Sequence, residues 1–269
     1  MVAVLNPLRW WRQRKLAQVP IDVAAFEATV RLLPGLQVLP AADQQRLLAY
    51  TRAFLLDKAI VGAHDFVLDT AMRTRIATLA CWPVLALGYD WLAGWHEVIV
   101  YPEGFQARRI DHDEDTGVVH EWDEELAGES WDQGPLIVSW EDLCTDLAQP
   151  EDVQNIVVHE VAHKLDARKG YADGGPPLPP GMDAAQWTRV FQRDYDALCA
   201  LVDGDESQAP IDPYASSAPE EFFAVCSEYH FLAPALLQSA YPEVAALLAQ
   251  FYAGGSPSIS PAARRATSS

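Results

Sequence analysis

From Ile21 to Leu32, Ala42 to Ile60 and Asp69 to Leu87, apolar residues recur at intervals of three and four, as in Met72, Ile76, Leu79 and Ala80. That is the spacing of one helix face, so the opening third of the chain is predicted to be three amphipathic helices. Asp69 and Thr70 stand where an N-cap would start the third, while Pro34-Gly35 and Pro40 punctuate the first two. After Gly94 the rhythm changes. Val98-Ile99-Val100-Tyr101, Phe105 to Ile110 and Val118-Val119-His120 are short β-prone runs, and Gly134 to Trp140 reads as the last strand before the next helical region. At a sheet edge that last strand could hold an extended peptide by main-chain hydrogen bonds; an interior place suits its pattern equally well.

Helical spacing returns from Asn155 to Asp166, where Val153, Ile156, Val157, Val161 and Leu165 supply an apolar side without Gly or Pro. Arg168 to Met182 is rich in Gly and Pro and is predicted to be a loop beside the cleft. Asp183 with Gln186 forms a capping-box pair for a helix whose expected buried stripe is Trp187, Val190, Phe191, Tyr195, Leu198 and Leu201. Two further helical regions are expected, from about Ala218 to Phe231 and from Pro234 to Phe251. Residues 1–253 are expected to form a single domain. Residues 1–18 read as a short helix or a loose N-terminal segment, and the small, polar 254–269 as a disordered tail.

Chemistry concentrates in His159-Glu160-Val161-Ala162-His163. Histidines four apart share a helix face and can present two imidazole nitrogens to one cation. Glu160 falls about 100° round the helix from His159, beside such a cation, where a carboxylate can act as general base. A catalytic zinc site uses three protein ligands and an open position, so a third ligand is needed. The metzincin extension requires Gly at 166 and His at 169, but the chain has Asp166 and Lys169. The alternative is a later Glu within Tyr214 to Tyr229. There Ser217 with Glu220 reads as a capping box and Pro219 as a first-turn proline, which occupies Glu220 and leaves Glu221 as the leading candidate. Glu228, seven residues on and on the same face, is either a carboxylate for an imidazole N–H or the competing ligand. Asp166 could orient an imidazole or a neighbouring backbone, or be an exposed Asp at a helix end.

Composition narrows the partners. Acidic residues outnumber basic ones by 38 to 19 in 269 residues, a net charge of −19, so nucleic acid is not an expected ligand. The run from Asp111 to Asp132 contains no Lys or Arg and reads as a solvated loop or hairpin face. Cys81, Cys144, Cys199 and Cys226 form no Cys-x-x-Cys pair and sit among apolar residues, which predicts reduced thiols and a cytoplasmic protein. No apolar run suits an export signal or a membrane span.

Together with Phe54 to Lys58, Asp69 to Cys81, Gly94-Trp95, Val98 to Pro102, Gly128 to Trp131, Gly134-Pro135 and Tyr214 to Phe231, the histidine stretch resembles the Mlc titration factor A family of bacterial zinc-dependent peptidases, of the gluzincin type. The resemblance implies an α+β, zincin-like metallopeptidase with N-terminal helices, a small twisted sheet, the HExxH helix and C-terminal helices. It implies Zn2+ bound by His159, His163 and Glu221, Glu160 as general base, Tyr214 as an electrophilic helper, and a peptide or protein substrate. It also implies a competing role, in which the protein sequesters a transcriptional repressor of sugar uptake and hydrolysis is incidental.

Overall fold

In a computed structural model that describes residues 14–103 and 134–255, a short exposed helical turn at 14–18 precedes helix α1 (Val23–Leu32). Short acidic side chains start two of the N-terminal helices. Asp22 accepts the Ala25 N–H at 2.9 Å to begin α1, and Asp69 accepts the Met72 N–H at 2.7 Å to begin α3 (Thr70–Cys81). Between them, α2 (Ala41–Asp57) ends before the expected Ile60, because Ala59–Gly62 is strand β1, with Ile60 buried. Helix α3 also stops short of the expected Leu87. Pro83 has no N–H to continue the ladder, yet residues 82–85 remain buried in turns, which is why the apolar pattern runs on.

β1 pairs in parallel with β2 (Glu97–Tyr101), and β2 with β3 (Leu136–Ser139), in the order β1-β2-β3. The register aligns Ile60 with Val98 and Val98 with Leu136, and Val98, Val100, Leu136 and Val138 are all buried. Among the described residues β3 is an edge strand. The strands expected at Phe105 to Ile110 and Val118 to His120, the acidic run and the tail from Ser256 lie outside the described residues.

The strand expected through Trp140 ends at Ser139, whose Oγ accepts the Asp142 N–H at 3.0 Å and so starts an unexpected helix, α4 (Trp140–Ala148). The histidine stretch is α5 (Ile156–Asp166). Asp183 caps α6 (Ala184–Asp205), in which Trp187, Val190, Phe191 and Leu198 are buried but Leu201 is exposed, one turn beyond the core. Helix α7 (Pro219–Leu232) follows. The single helix expected from Pro234 to Phe251 is two, α8 (Pro234–Ala240) and α9 (Pro242–Tyr252), because Pro242 starts a new first turn. Helix α5 packs against β3, α3 and α7, inside one cluster of buried apolar residues to which helices α1–α9 and the sheet contribute. The four cysteines are free, and among the described residues no helix is long and apolar enough to cross a membrane.

A buried lysine ties the end of α2 to the turn before β2. The Lys58 amine donates to the carbonyls of Leu92, at 2.6 Å, and Trp95, and lies 3.8 Å from the centroid of the Trp95 indole. Burial lowers its pKa to about 8, so the amine is mostly charged at neutral pH. Lys58→Met keeps the stem but leaves two carbonyls without a donor. It is expected to lower the unfolding free energy by about 2–4 kcal/mol, measured by denaturant titration.

Candidate metal centre

Helix α5 carries His159, Glu160 and His163, and buried side chains hold its first turn. Asp146 Oδ2 accepts the Ile156 N–H at 2.7 Å, Asn155 Oδ1 the Val158 N–H at 3.0 Å, and Glu228 Oε1 the Asn155 N–H at 2.6 Å. These bonds satisfy donors that a helix start leaves open, and the carboxylates lie at the positive end of the helix dipole. On the core side, Val157, Val161 and Leu165 are fully buried. Asn155 was not among the expected caps, although an Asn just before an apolar run is the signal that could have found it. Asp146, placed by a separate helix, carried no such signal.

Glu228 also reaches His159. Its Oε2 lies 3.0 Å from Nδ1, and the residue is only 2% exposed. Seven residues earlier on the same helix face, Glu221 places Oε2 3.0 Å from His159 Nε2 and Oε1 3.3 Å from His163 Nε2, while the two Nε2 atoms are 3.1 Å apart. His159, His163 and Glu221 therefore offer three ligand atoms within 4.8 Å of one another, a group that could hold a metal ion. Imidazole lone pairs and a carboxylate this close need a cation between them, either a proton or a metal. Without metal, burial works against charge on His159, but Glu228 and Glu221 prevail and raise its pKa to about 10. Burial likewise opposes charge on Glu221, yet the hydrogen bonds from His159 and His163 hold it well below the usual carboxylate range. Protons and metal thus compete for one place.

The other expected site residues lie around this cluster. Glu160 is half-buried, and no ion pair among the described residues engages it. Tyr214 lies in the helical turn Pro213–Ser216, where Asp212 accepts its N–H at 3.0 Å, and its ring centroid is 6.3 Å from that of His159. The expected capping box does not form. Ser217 Oγ donates to the Tyr214 carbonyl at 2.7 Å, and Ala218 occupies the N-cap of α7 without a side-chain bond. Glu221 reaches the histidines through the phase of the helix, not through competition for its cap.

Asp166, the last residue of α5, is fully buried rather than exposed. Its Oδ2 accepts the N–H groups of Asp173 at 2.9 Å and Gly174 at 2.6 Å, and its Oδ1 has no partner among the described residues. Of the roles open in the sequence, it serves a neighbouring backbone. Burial raises its pKa from 3.8 to about 6, against the opposing pull of the two N–H groups. The folded chain therefore binds this proton more tightly than the unfolded one. The resulting penalty on folding is absent below about pH 4, grows between 4 and 6, and is complete above that. Compared with Asp166→Asn, the wild type is expected to lose about 3 kcal/mol of stability between pH 4 and 7, measured by denaturation of both metal-free proteins. A difference that does not change with pH would contradict this.

Residues 8–253 match the model of the family described as glucose-regulated metallo-peptidase M90. Mlc titration factor A of Salmonella gallinarum (strain 287/91 / NCTC 13346) is 40% identical over 223 residues, covering 82% of each chain. Mlc titration factor A of Salmonella agona (strain SL483) is 39% identical over 221 residues, again covering 82% of each. With a match that spans most of the chain, this protein belongs to the glucose-regulated metallo-peptidase M90 family.

Proposed function

We propose that this protein is a zinc-dependent peptidase of the zincin-like, gluzincin type, with residues 1–253 as its catalytic domain. His159, His163 and Glu221 hold Zn2+ and Glu160 is the general base. The observation that carries this reading is the convergence of those three ligand groups in a chain of a metallopeptidase family. Tetrahedral zinc with N and O ligands at about 2.0–2.1 Å keeps neighbouring ligand atoms about 3.3 Å apart. The two Nε2 atoms, 3.1 Å apart, and the two Glu221 oxygens, Oε2 3.0 Å from His159 and Oε1 3.3 Å from His163, lie near that spacing, which supports the fit. Two imidazoles and one carboxylate also form a donor set suited to zinc with a position left open.

Zinc in this place supplies Lewis-acid polarisation of the scissile carbonyl and acidifies water. The rest is done by the chain. Glu228 keeps a proton on His159 Nδ1, so that the Nε2 lone pair faces Glu221 and His163. Glu160 takes the proton of the attacking water and passes it to the leaving nitrogen. Tyr214 donates a hydrogen bond to the carbonyl oxygen as that atom gains charge. A second role is favoured by the relatives' name, Mlc titration factor A: binding of a transcriptional repressor, for which Glu160 is not needed. Equal binding of such a partner by wild type and Glu160→Gln would separate the two roles.

The direct test is metal analysis of the purified protein together with hydrolysis of a peptide panel, with and without chelator. His159→Ala, His163→Ala and Glu221→Ala are each expected to lose stoichiometric zinc. Glu160→Gln should keep zinc and fold while turnover falls by about 10² to 10⁴. Activity within a few-fold of wild type would remove Glu160 from the mechanism.

Tyr214→Phe should lower kcat by on the order of 10²-fold, with KM little changed and zinc retained. An unchanged kcat in Tyr214→Phe, with a lower Tm in Tyr214→Ala, would make Tyr214 a packing residue instead.

A further inference from the structure

Glu221 stands in the first turn of α7, and that turn has little support of its own. Its N-cap residue, Ala218, has no side chain to offer, and Ser217 is turned back to the Tyr214 carbonyl. What presses on the turn is the loop after α5. Gly174, at φ +77°, lies so close that a Cβ built on it would stand 2.5 Å from the Pro219 carbonyl oxygen, so only glycine permits this contact. Gly174 is itself fixed on both sides of its Cα. Its N–H donates to Asp166 Oδ2 at 2.6 Å, and its carbonyl accepts from Trp187 Nε1 at 3.1 Å. Asp166 in turn follows His159 and His163 at the seventh and third positions on, along the same stripe of one rigid helix.

We propose that Asp166 is a positioning residue for the third metal ligand. By holding the turn at Asp173 and Gly174, it seats the loop on Pro219 and so fixes where Glu221 stands relative to His159 and His163. The helix that supplies two ligands thereby places the third, through a carboxylate that touches neither the metal nor a ligand side chain. The inference rests on the reading of Glu221 as a ligand.

The test measures zinc affinity of the full-length chain by competition with a chromophoric chelator, together with the visible absorption bands of the Co2+-loaded protein. Asp166→Asn keeps an oxygen that can accept both N–H groups and should bind zinc within a few-fold of wild type. Asp166→Ala, and Gly174→Ala, which leaves Asp166 untouched, should each lose about 10- to 100-fold in affinity and shift the Co2+ bands. Leu47→Ala, a core truncation in α2 away from the site, should lower Tm but leave affinity and bands unchanged. Wild-type affinity and bands in Gly174→Ala, or an equal loss in Leu47→Ala, would overturn the proposal; Gly174→Ala decides alone if Asp166→Ala does not fold. Glu221→Ala separates the two ideas. Zinc lost in Glu221→Ala but retained in Gly174→Ala overturns the positioning role alone, whereas zinc retained in Glu221→Ala overturns the ligand reading.

Discussion

The centre depends on one buried carboxylate. Glu228 spends one oxygen on the His159 ring and the other on the N–H of Asn155, the residue that caps the histidine helix. A carboxylate so far from water is unfavourable without partners, and both partners belong to α5. The pair of bonds therefore fixes the rotation of α7 about its own axis relative to α5. Once that rotation is set, the residue two turns earlier on α7 must lie over the opposite edge of the same imidazole, and that residue is Glu221. Ring orientation, helix start and third carboxylate thus follow from a single contact.

The two ends of α5 are held in the same manner, by acidic side chains accepting main-chain N–H groups. At the start, Asp146 and Glu228 satisfy Ile156 and Asn155; at the end, Asp166 satisfies Asp173 and Gly174. Each of these carboxylates is buried. Part of the chain's acidic excess is therefore structural, placed where the backbone would otherwise have unpaired donors. The apolar side of α5 packs against β3 and α3, so the polar fixings act on a helix already immobilised by its core face.

Much of the architecture was legible along the chain. The three-and-four spacing located α1, α3, α5, α6 and α7, because each must bury a stripe. The caps at Asp69 and Asp183 were legible because a short side chain placed just before an apolar run can reach the first N–H groups. Boundaries failed where burial outlasted the element. Residues 82–85 remain apolar in a turn, and β1 is too short to break the apolar rhythm that precedes it.

At the centre, sequence determined what is local to one helix: that His159 and His163 share a face, that Glu160 stands beside them, and that Glu221 and Glu228 share a face of their own. Those statements need only the helical period. Only tertiary structure decided how the two faces meet: which carboxylate lies at Nε2 and which at Nδ1 of His159, and that Asp166 is buried against a backbone. The local reason offered for choosing Glu221, a capping box at Ser217, is absent, although Glu221 is the carboxylate that meets both histidines. Helix phase is a property of neighbouring residues, but the rotation of one helix against another is set by buried groups far apart in the chain. No pattern along the sequence encodes which of them will meet.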